Sequence, residues 1–285
     1  DLKFLYLDNT NLQFIPKNFK FKNMEEFHAK NNKLNRIDMN TLKDCSLKKI
    51  FLNSNNFNEF PMSILMINNI DLIAFDSNNI RKINIDDIIA PNLTYLALNH
   101  NEIKNFYICA NAVPSLKVLR LGDNNIKKFI MNARNISSLE ELYLRKNNIS
   151  IFDNKLTGFA NLEFLDLREN NIYIIDNLND ISYQEVTLKL RVNCIDEIKN
   201  LVCIRHITKI SVSCKFTTNN ESRLNIFENH TETNNIKIIK LKFCHLKKIP
   251  KGIEKLISVE NLSFKNNNIR KVYNCFKCLK FFETS

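Results

Sequence analysis

The stretch LEFLDLRENNI, residues 162–172, places Leu, Ile and Asn at fixed spacings. Two similar stretches precede it, LKVLRLGDNNI at 116–126 and LEELYLRKNNI at 139–149. All three follow the pattern L-x-x-L-x-L-x-x-N-x-L, in which the apolar and Asn positions persist while the residues between them change. Successive copies are 23 residues apart. A fixed period of this length is typical of proteins built from stacked structural repeats.

The pattern extends along the whole chain. Regularly spaced copies start at Met24, Leu47, Ile70, Leu93, Leu116, Leu139, Leu162 and Glu185. The ninth position of these copies is always Asn, namely Asn32, Asn55, Asn78, Asn101, Asn124, Asn147, Asn170 and Asn193. Less regular copies start at Leu2, Ile207, Ile236 and Val259, so the chain contains about twelve repeats. On these residues, the sequence resembles the leucine-rich repeat (LRR) family over essentially all 285 residues.

The resemblance implies an α/β-type repeat solenoid, a horseshoe with a concave parallel β-sheet and an irregular or short-helical convex side. On each short strand, positions four and six face the core, and positions three, five and seven face the other way. The family pattern also implies that the position-nine Asn side chains bond the backbone of neighbouring turns and form a ladder. We expect a single domain over 1–285, with regular repeats at 1–206, an irregular repeat with an inserted loop at 207–235, and final repeats at 236–285.

The cysteines are concentrated in the C-terminal third of the chain. Six of the eight lie beyond residue 190, which favours disulfides and an oxidising compartment. Buried thiols in a reducing cell are the alternative. Cys244 stands at the Asn place of its repeat, where the family resemblance implies a small buried donor. The segment NCFKCLKFF, 274–282, resembles the opening of the Cys-rich cap of extracellular LRR proteins, although it has C-x-x-C instead of C-x-C.

Asn220 and Asn229, in the predicted loop, are candidate N-glycosylation sites. The C-x-x-C pair has no second pair or paired His to complete a zinc site, so no metal is expected.

Catalytic motifs are absent from the sequence. With only three glycines it cannot form a P-loop or a dinucleotide-binding loop, and it has neither H-E-x-x-H nor G-x-S-x-G. We therefore predict a protein that is not an enzyme and needs no cofactor. The net charge of +11 is spread along the chain without long basic blocks, which favours a solvated surface over nucleic-acid binding. No apolar run reaches the roughly 18 residues of a transmembrane segment.

The outward positions of the predicted strands are aromatic in the first half of the chain and basic further on. Such an aromatic stripe is not expected of a merely solvated surface, and Tyr and Arg are enriched at interface hot spots. The predicted partner-binding residues of the concave face are Tyr6, Phe51, Tyr95, Arg120, Tyr143, Arg145, Phe164, Arg168 and Arg191.

The function predicted from this face is protein–protein recognition in a secreted or cell-surface protein, with a protein ligand or receptor as partner. A cytoplasmic LRR scaffold or regulatory subunit of a signalling complex is the alternative. Self-association through the repeat surface is a further expectation.

Overall fold

The computed structural model describes most of the first half of the chain and separate segments of the second half. The described residues are 2–38, 41, 45–86, 88–132, 138–152, 161–172, 174–175, 186–192, 207–214, 236–250, 252–256, 258–271 and 281–283. The chain forms two compact units, Asp1–Tyr143 and Leu144–Ser285. Each unit is a parallel β-solenoid. The single domain predicted over 1–285 stays a prediction.

The described residues of unit 1 form ten strands. They are β1 (Phe4–Tyr6), β2 (Glu26–His28), β3 (Lys49–Phe51), β4 (Leu72–Ala74), β5 (Lys82–Ile85), β6 (Tyr95–Ala97), β7 (Asn105–Cys109), β8 (Val118–Arg120), β9 (Lys128–Asn132) and β10 (Glu141–Tyr143). The main sheet has the order β1-β2-β3-β4-β6-β8-β10. Strand neighbours pair at equivalent repeat positions, for example Leu142 with Leu119. The repeat period therefore sets the register of the sheet.

The core of unit 1 lies behind the main sheet. The side chains at positions four and six of each repeat enter it, and those of Leu96, Leu98, Leu119 and Leu121 are fully buried. Each buried Leu or Ile contributes roughly 1.5–3 kcal/mol of hydrophobic free energy. Because three-residue strands cannot bury this surface alone, stacking of successive repeats is what makes them stable.

The strands β5, β7 and β9 form a second parallel sheet in unit 1. Their sequences, KINI, NFYIC and KFIMN, alternate buried apolar residues with more exposed ones in the strands whose burial is described. Rows of Ile and Phe at this spacing favour strands over helices. The irregular or short-helical convex side predicted from the family is therefore wrong for these three segments.

Helix contributes little to the described chain. The helical segments with defined bounds are 3-10 turns at Met62–Met66, Ala110–Ala112 and Ile253–Lys255. The predicted repeat solenoid with a parallel β-sheet is confirmed, and its helical part in the described residues consists of these short 3-10 turns.

Unit 2 contains strands β11 (Ile151–Phe152), β12 (Phe164–Asp166), β13 (Ile174–Ile175), β14 (Val186–Val192), β15 (Ile207–Cys214), β16 (Ile238–Lys242), β17 (Asn261–Ser263) and β18 (Phe281–Glu283). Its main sheet has the order β12-β14-β15-β16-β17-β18, and β11 pairs with β13. The register between β14 and β15 shifts between Val186 and Thr187. Val186 pairs with Ile207, the residue at which the predicted irregular repeat begins. The predicted loop at 215–235 lies outside the described residues.

The last strand, β18, was not among the predicted repeats. Phe281 pairs in parallel with Asn261, so this segment extends the main sheet of unit 2. The Cys275 and Cys278 pair that precedes it lies outside the described residues.

The turn after each main-sheet strand has one recurrent backbone conformation. The residue at position eight has a positive φ, between 52° and 60°, in ten repeats: Asn9, Asn31, Ser54, Ser77, His100, Asp123, Lys146, Glu169, Phe243 and Asn266. Asn and Asp tolerate this left-handed region, but Lys, Glu and Phe adopt it only at a cost in free energy. Bonds made by the next residue hold the turn; this residue is Asn in eight of the ten repeats, Thr10 in the first and Cys244 after Phe243.

The position-nine side chains form the predicted type of hydrogen-bonded ladder. The Oδ1 atom of Asn124 accepts the N–H of Ile103 at 3.0 Å, and its Nδ2 donates to the carbonyls of Leu98, Leu121 and Gly122 at 2.9, 3.1 and 3.2 Å. One amide thus joins two repeats and closes its own turn. Related bonds are made by Asn32, Asn55, Asn78, Asn101, Asn147 and Asn170, and all seven Asn are between 1% and 8% exposed.

Two ladder positions in unit 2 extend the described ladder beyond the seven Asn, one of them not predicted and one as predicted. Asn267, which the sequence analysis did not assign, accepts from Cys244 N and Leu246 N at 2.9 and 3.1 Å and donates to Leu241 O at 2.7 Å. It lies at position nine of the repeat starting at Val259, so the period already indicated it. Cys244 is buried, and its thiol donates to Lys242 O at 3.2 Å. Asn193 lies outside the described residues.

We predict that Asn124→Ala lowers the free energy of unfolding by roughly 2–4 kcal/mol, because several buried backbone groups lose their partner at once. The adjacent exposed Asn125 is the matched control. Asn125→Ala should change stability by less than about 0.5 kcal/mol. Urea unfolding followed by circular dichroism measures both variants, and equal losses would show that the ladder has no special role.

Candidate protein-binding face

The outer face of the main sheet in unit 1 is formed by side chains at positions three, five and seven, and we call it the variable face. Its middle row, at position five, is Tyr6, His28, Phe51, Ala74, Ala97, Arg120 and Tyr143. In-register strands lie about 4.8 Å apart, so consecutive members of this row are neighbours. The row has large side chains at both ends and two alanines between them.

At one end of the row, three rings stack across β1, β2 and β3. The Tyr6 and His28 rings have centroids 4.4 Å apart, and His28 and Phe51 are stacked at 4.2 Å with an interplanar angle of 20°. The ammonium of Lys30 lies 4.9 Å from the centre of the Phe51 ring. Tyr6 is nevertheless 61% exposed. We call Tyr6, His28 and Phe51 the ring stack.

His28 was missing from the predicted partner-binding residues. Its place at position five was the available signal, but an imidazole does not stand out in a search for aromatic and Arg residues. His28 Nε2 lies 3.3 Å from Glu26 Oε2, and Lys49 Nζ donates to Glu26 Oε1 at 2.9 Å. Hydrogen bonds from Lys49 and His28 lower the pKa of Glu26. The acid beside the ring stack therefore already has partners.

At the other end of the row, Arg120 lies between two tyrosine rings. Its Cζ atom is 4.9 Å from the Tyr143 ring centre and 5.4 Å from the Tyr95 ring centre. The Tyr143 hydroxyl donates to Glu141 Oε2 at 2.7 Å, which orients that ring. Burial raises the pKa of Tyr95, so its hydroxyl stays neutral. The rings hold the guanidinium through cation–π contacts.

Position seven carries a second set of bonds between strands. The carboxylate of Asp8 accepts the Lys30 N–H at 2.6 Å. Further along the row, Asp76 accepts the Asn99 N–H at 2.7 Å, and Asn99 Oδ1 accepts the Gly122 N–H at 2.8 Å. Burial raises the pKa of Asp76, and its hydrogen bonds with Asn99 oppose that rise. Sequence reasoning missed these bonds because a polar residue at an outward position resembles an ordinary solvated one.

In unit 2, two of the predicted binding arginines are ion-paired. Arg145 Nη2 lies 2.6 Å from Glu169 Oε1. Arg168 Nε donates to Asp166 Oδ1 at 2.8 Å, and Arg168 Nη2 bonds Asp166 Oδ2. Only 3% of the Asp166 side chain is exposed, and its hydrogen bonds raise the pKa of Arg168. The cationic face predicted for this region is therefore neutralised at both arginines.

The remaining predicted residues of unit 2 are less fully described. Phe164 is partly buried in β12. Arg191 lies on β14, but its side chain is not among the described ones. Asn220 and Asn229 lie outside the described residues.

Two general features of the described residues bear on the type of site. No group of three or more His, Cys, Asp or Glu in this part of the chain could hold a metal ion. None of the helices among the same residues has the length and apolar character needed to cross a membrane.

Comparison with known proteins identifies the fold. Residues 114–172 match the sequence model described as leucine rich repeat. A Leptospira interrogans LRR protein, LIC12759, is similar in structure with a TM-score of 0.55 and 19% identity, over 98% of this chain and 76% of that one. The fold of the chain is therefore that of leucine-rich repeat proteins.

Other solved LRR structures give a similar match. A chain of the octameric complex of Latrophilin 3, Unc5D and the LRR of FLRT2 has a TM-score of 0.61 and 17% identity, over 93% of this chain and 81% of that chain. The LRR domain of APL1B has a TM-score of 0.56 and 14% identity, over 99% and 82%. No curated protein sequence matches this LRR chain. These similarities establish the fold alone.

We predict that Arg168→Met destabilises the LRR chain by about 2–3 kcal/mol, because it leaves the buried Asp166 carboxylate without a charge partner. The double variant Arg168→Met/Asp166→Asn should recover most of this loss. Arg145→Met is the matched control, since Glu169 is more exposed and its pair contributes less than about 1 kcal/mol. Thermal unfolding of the wild type and these three variants tests the prediction, and an unchanged midpoint in Arg168→Met would contradict a structural role for Arg168.

Proposed function

We propose that this LRR chain is a non-enzymatic protein-recognition module and that its partner binds the variable face of unit 1. The observation that carries the proposal is the position-five row, which presents the ring stack, Arg120 and Tyr143 on one sheet, with Tyr95 beside Arg120 at position three. Aromatic and Arg side chains are the residue types that dominate interface energetics. Their presence on an outer face needs an explanation other than solvation.

The exposure and size of the face support this role. Phe4 and Tyr6 are 48% and 61% exposed, so a large apolar area near the ring stack is open to solvent. Seven strands at about 4.8 Å spacing extend over roughly 30 Å. That span is compatible with a standard interface of about 800 Å² on each partner.

The rigidity of the face supports it further. The rings of the ring stack contact one another, and Arg120 contacts the rings of Tyr95 and Tyr143. The strands below them are joined by the side-chain bonds at positions seven and nine. Binding therefore orders few additional groups, which reduces its entropic cost. The similarity to a chain in the complex of FLRT2, Latrophilin 3 and Unc5D indicates that this fold serves in protein assemblies.

We predict that Tyr6→Ala and Phe51→Ala each weaken partner binding at least tenfold, as expected for hot-spot residues. Phe14→Ala is the matched control, because Phe14 is 63% exposed but does not belong to the main sheet. A photo-crosslinking amino acid at position 51 or at position 14 identifies the partner in the source organism. Surface plasmon resonance of that partner with the purified variants then gives the affinities.

A partner that crosslinks from position 51 but binds Phe51→Ala and Tyr6→Ala with unchanged affinity would place the interface elsewhere. Crosslinks between two copies of the chain would show that the face serves self-association.

We further propose that the protein is secreted or displayed at the cell surface, with a cytoplasmic scaffold as the alternative. The concentration of cysteines beyond residue 190 and the sequons at Asn220 and Asn229 support this proposal. Among described side chains, Cys45, Cys109 and Cys244 are thiols and form no disulfide. A disulfide framework would therefore draw on the other five cysteines.

The compartment has a direct test by mass spectrometry of the native protein, alkylated under denaturing conditions without reduction. A secreted protein should show alkylation of Cys45, Cys109 and Cys244 and protection of at least one pair among the others. Glycan should be found at Asn220 or Asn229. Alkylation of all eight cysteines together with the absence of glycan would instead support the cytoplasmic alternative.

A further inference from the structure

We propose that Arg120 receives a single carboxylate side chain, Asp or Glu, from the protein partner. This assignment rests on the proposed function of the variable face and adds the chemistry that the face recognises. It predicts a partner segment with an acidic residue at Arg120 and an apolar or aromatic residue at the ring stack.

The guanidinium of Arg120 contacts aromatic rings. The guanidinium is sandwiched by Tyr95 and Tyr143, and its Nε is buried without a hydrogen-bond acceptor. Within the described part of the chain no carboxylate lies within ion-pair distance of it. By contrast, Arg81, Arg145 and Arg168 each contact a Glu or Asp.

The shape of the Arg120 guanidinium matches a single carboxylate. A guanidinium is a planar fork of N–H donors that matches the two oxygens of a carboxylate. Tyrosine rings next to the guanidinium restrict its rotation and leave donors along its edge. Because Arg120 as a whole is only partly buried, we assign its Nη groups to the incoming carboxylate. A charge held in place before binding loses little entropy when the acceptor arrives.

The charges around Arg120 favour a lone carboxylate over a polyanion. The nearby acids already have donors, since Asp76 accepts from Asn53 Nδ2 and Asn99 N, and Glu141 accepts from the Tyr143 hydroxyl. These acids also oppose a densely charged polyanion. Binding along a phosphate backbone needs several cations in a row, whereas this position offers one guanidinium. A lone carboxylate in an otherwise apolar segment matches that arrangement.

The position of Arg120 in the row defines the spacing between the acidic and the apolar residue of the partner segment. Phe51 and Arg120 are separated by Ala74 and Ala97, that is by three strand intervals, or about 14 Å. An extended partner segment crossing the strands rises about 3.3 Å per residue. The acidic residue should therefore lie about four residues from the apolar one.

A random peptide library displayed on phage and selected on the full chain tests this inference. The selected peptides should share an Asp or Glu about four residues from an aromatic or aliphatic residue. Arg120→Gln should weaken them at least tenfold and abolish the acidic preference on reselection. Arg120→Lys should weaken them less, because it keeps the charge but loses the planar fork. Arg81→Gln, on a paired arginine outside the variable face, is the control, and thermal unfolding confirms that each variant folds.

The outcomes separate the inference from the proposed function. Peptides that depend on Tyr6 and Phe51, but lack a fixed acid and bind Arg120→Gln normally, would overturn the assignment of Arg120 and leave the function standing. Selection without any peptide that depends on the variable face would contradict both. Binding of a fluorescent single-stranded oligonucleotide that Arg120→Gln weakens would assign the guanidinium to phosphate and overturn the carboxylate.

Discussion

The rest of the structure depends on one interaction, the hydrogen bonding of a buried amide at the ninth position of the repeat. Asn124 shows how it works, because its Oδ1 and Nδ2 together join groups of two successive repeats and close the turn after the strand. The residue before it adopts a left-handed conformation whatever its side chain, as Ser77 and Lys146 show. A buried amide with all its partners present is strongly favoured over one that lacks them. The ladder therefore imposes the same turn on the described repeats that carry the Asn.

A uniform turn has a functional consequence on the outer face. Because every main-sheet strand of unit 1 starts and ends at the same repeat position, residues 22 or 23 apart in the chain become neighbours in the sheet. Tyr6, His28 and Phe51 stack for this reason alone, and Tyr143 reaches Arg120 in the same way. The scaffold residues and the recognition residues thus alternate along each strand. Selection can change the second group without disturbing the first.

Much of this arrangement was predictable from the sequence. The period located the main-sheet strands of the repeats, the buried positions and seven described ladder amides, because each of these depends on local spacing. It did not indicate which partner a polar side chain selects. Arg168 was predicted as a binding residue, and the structure pairs it with Asp166 of its own repeat. The position-seven bonds of Asp76 and Asn99 were not predicted because a polar residue at an outward position resembles a solvated one. The alternation in KINI and NFYIC did indicate strands β5 and β7, but the family pattern implied an irregular or short-helical segment there.

The sequence by itself determined the repeat, the register and the identity of the side chains on each face. These follow from backbone geometry, since alternate residues of a strand point to opposite sides and a fixed period brings equivalent residues together. Only the tertiary structure decided which of the outward charges remain available. Arg145 and Arg168 are neutralised by Glu169 and Asp166, whereas Arg120 is held by two tyrosine rings and has no carboxylate of the described chain within ion-pair distance. That difference arises from distances between side chains within one repeat and between neighbouring repeats, which composition and spacing do not contain.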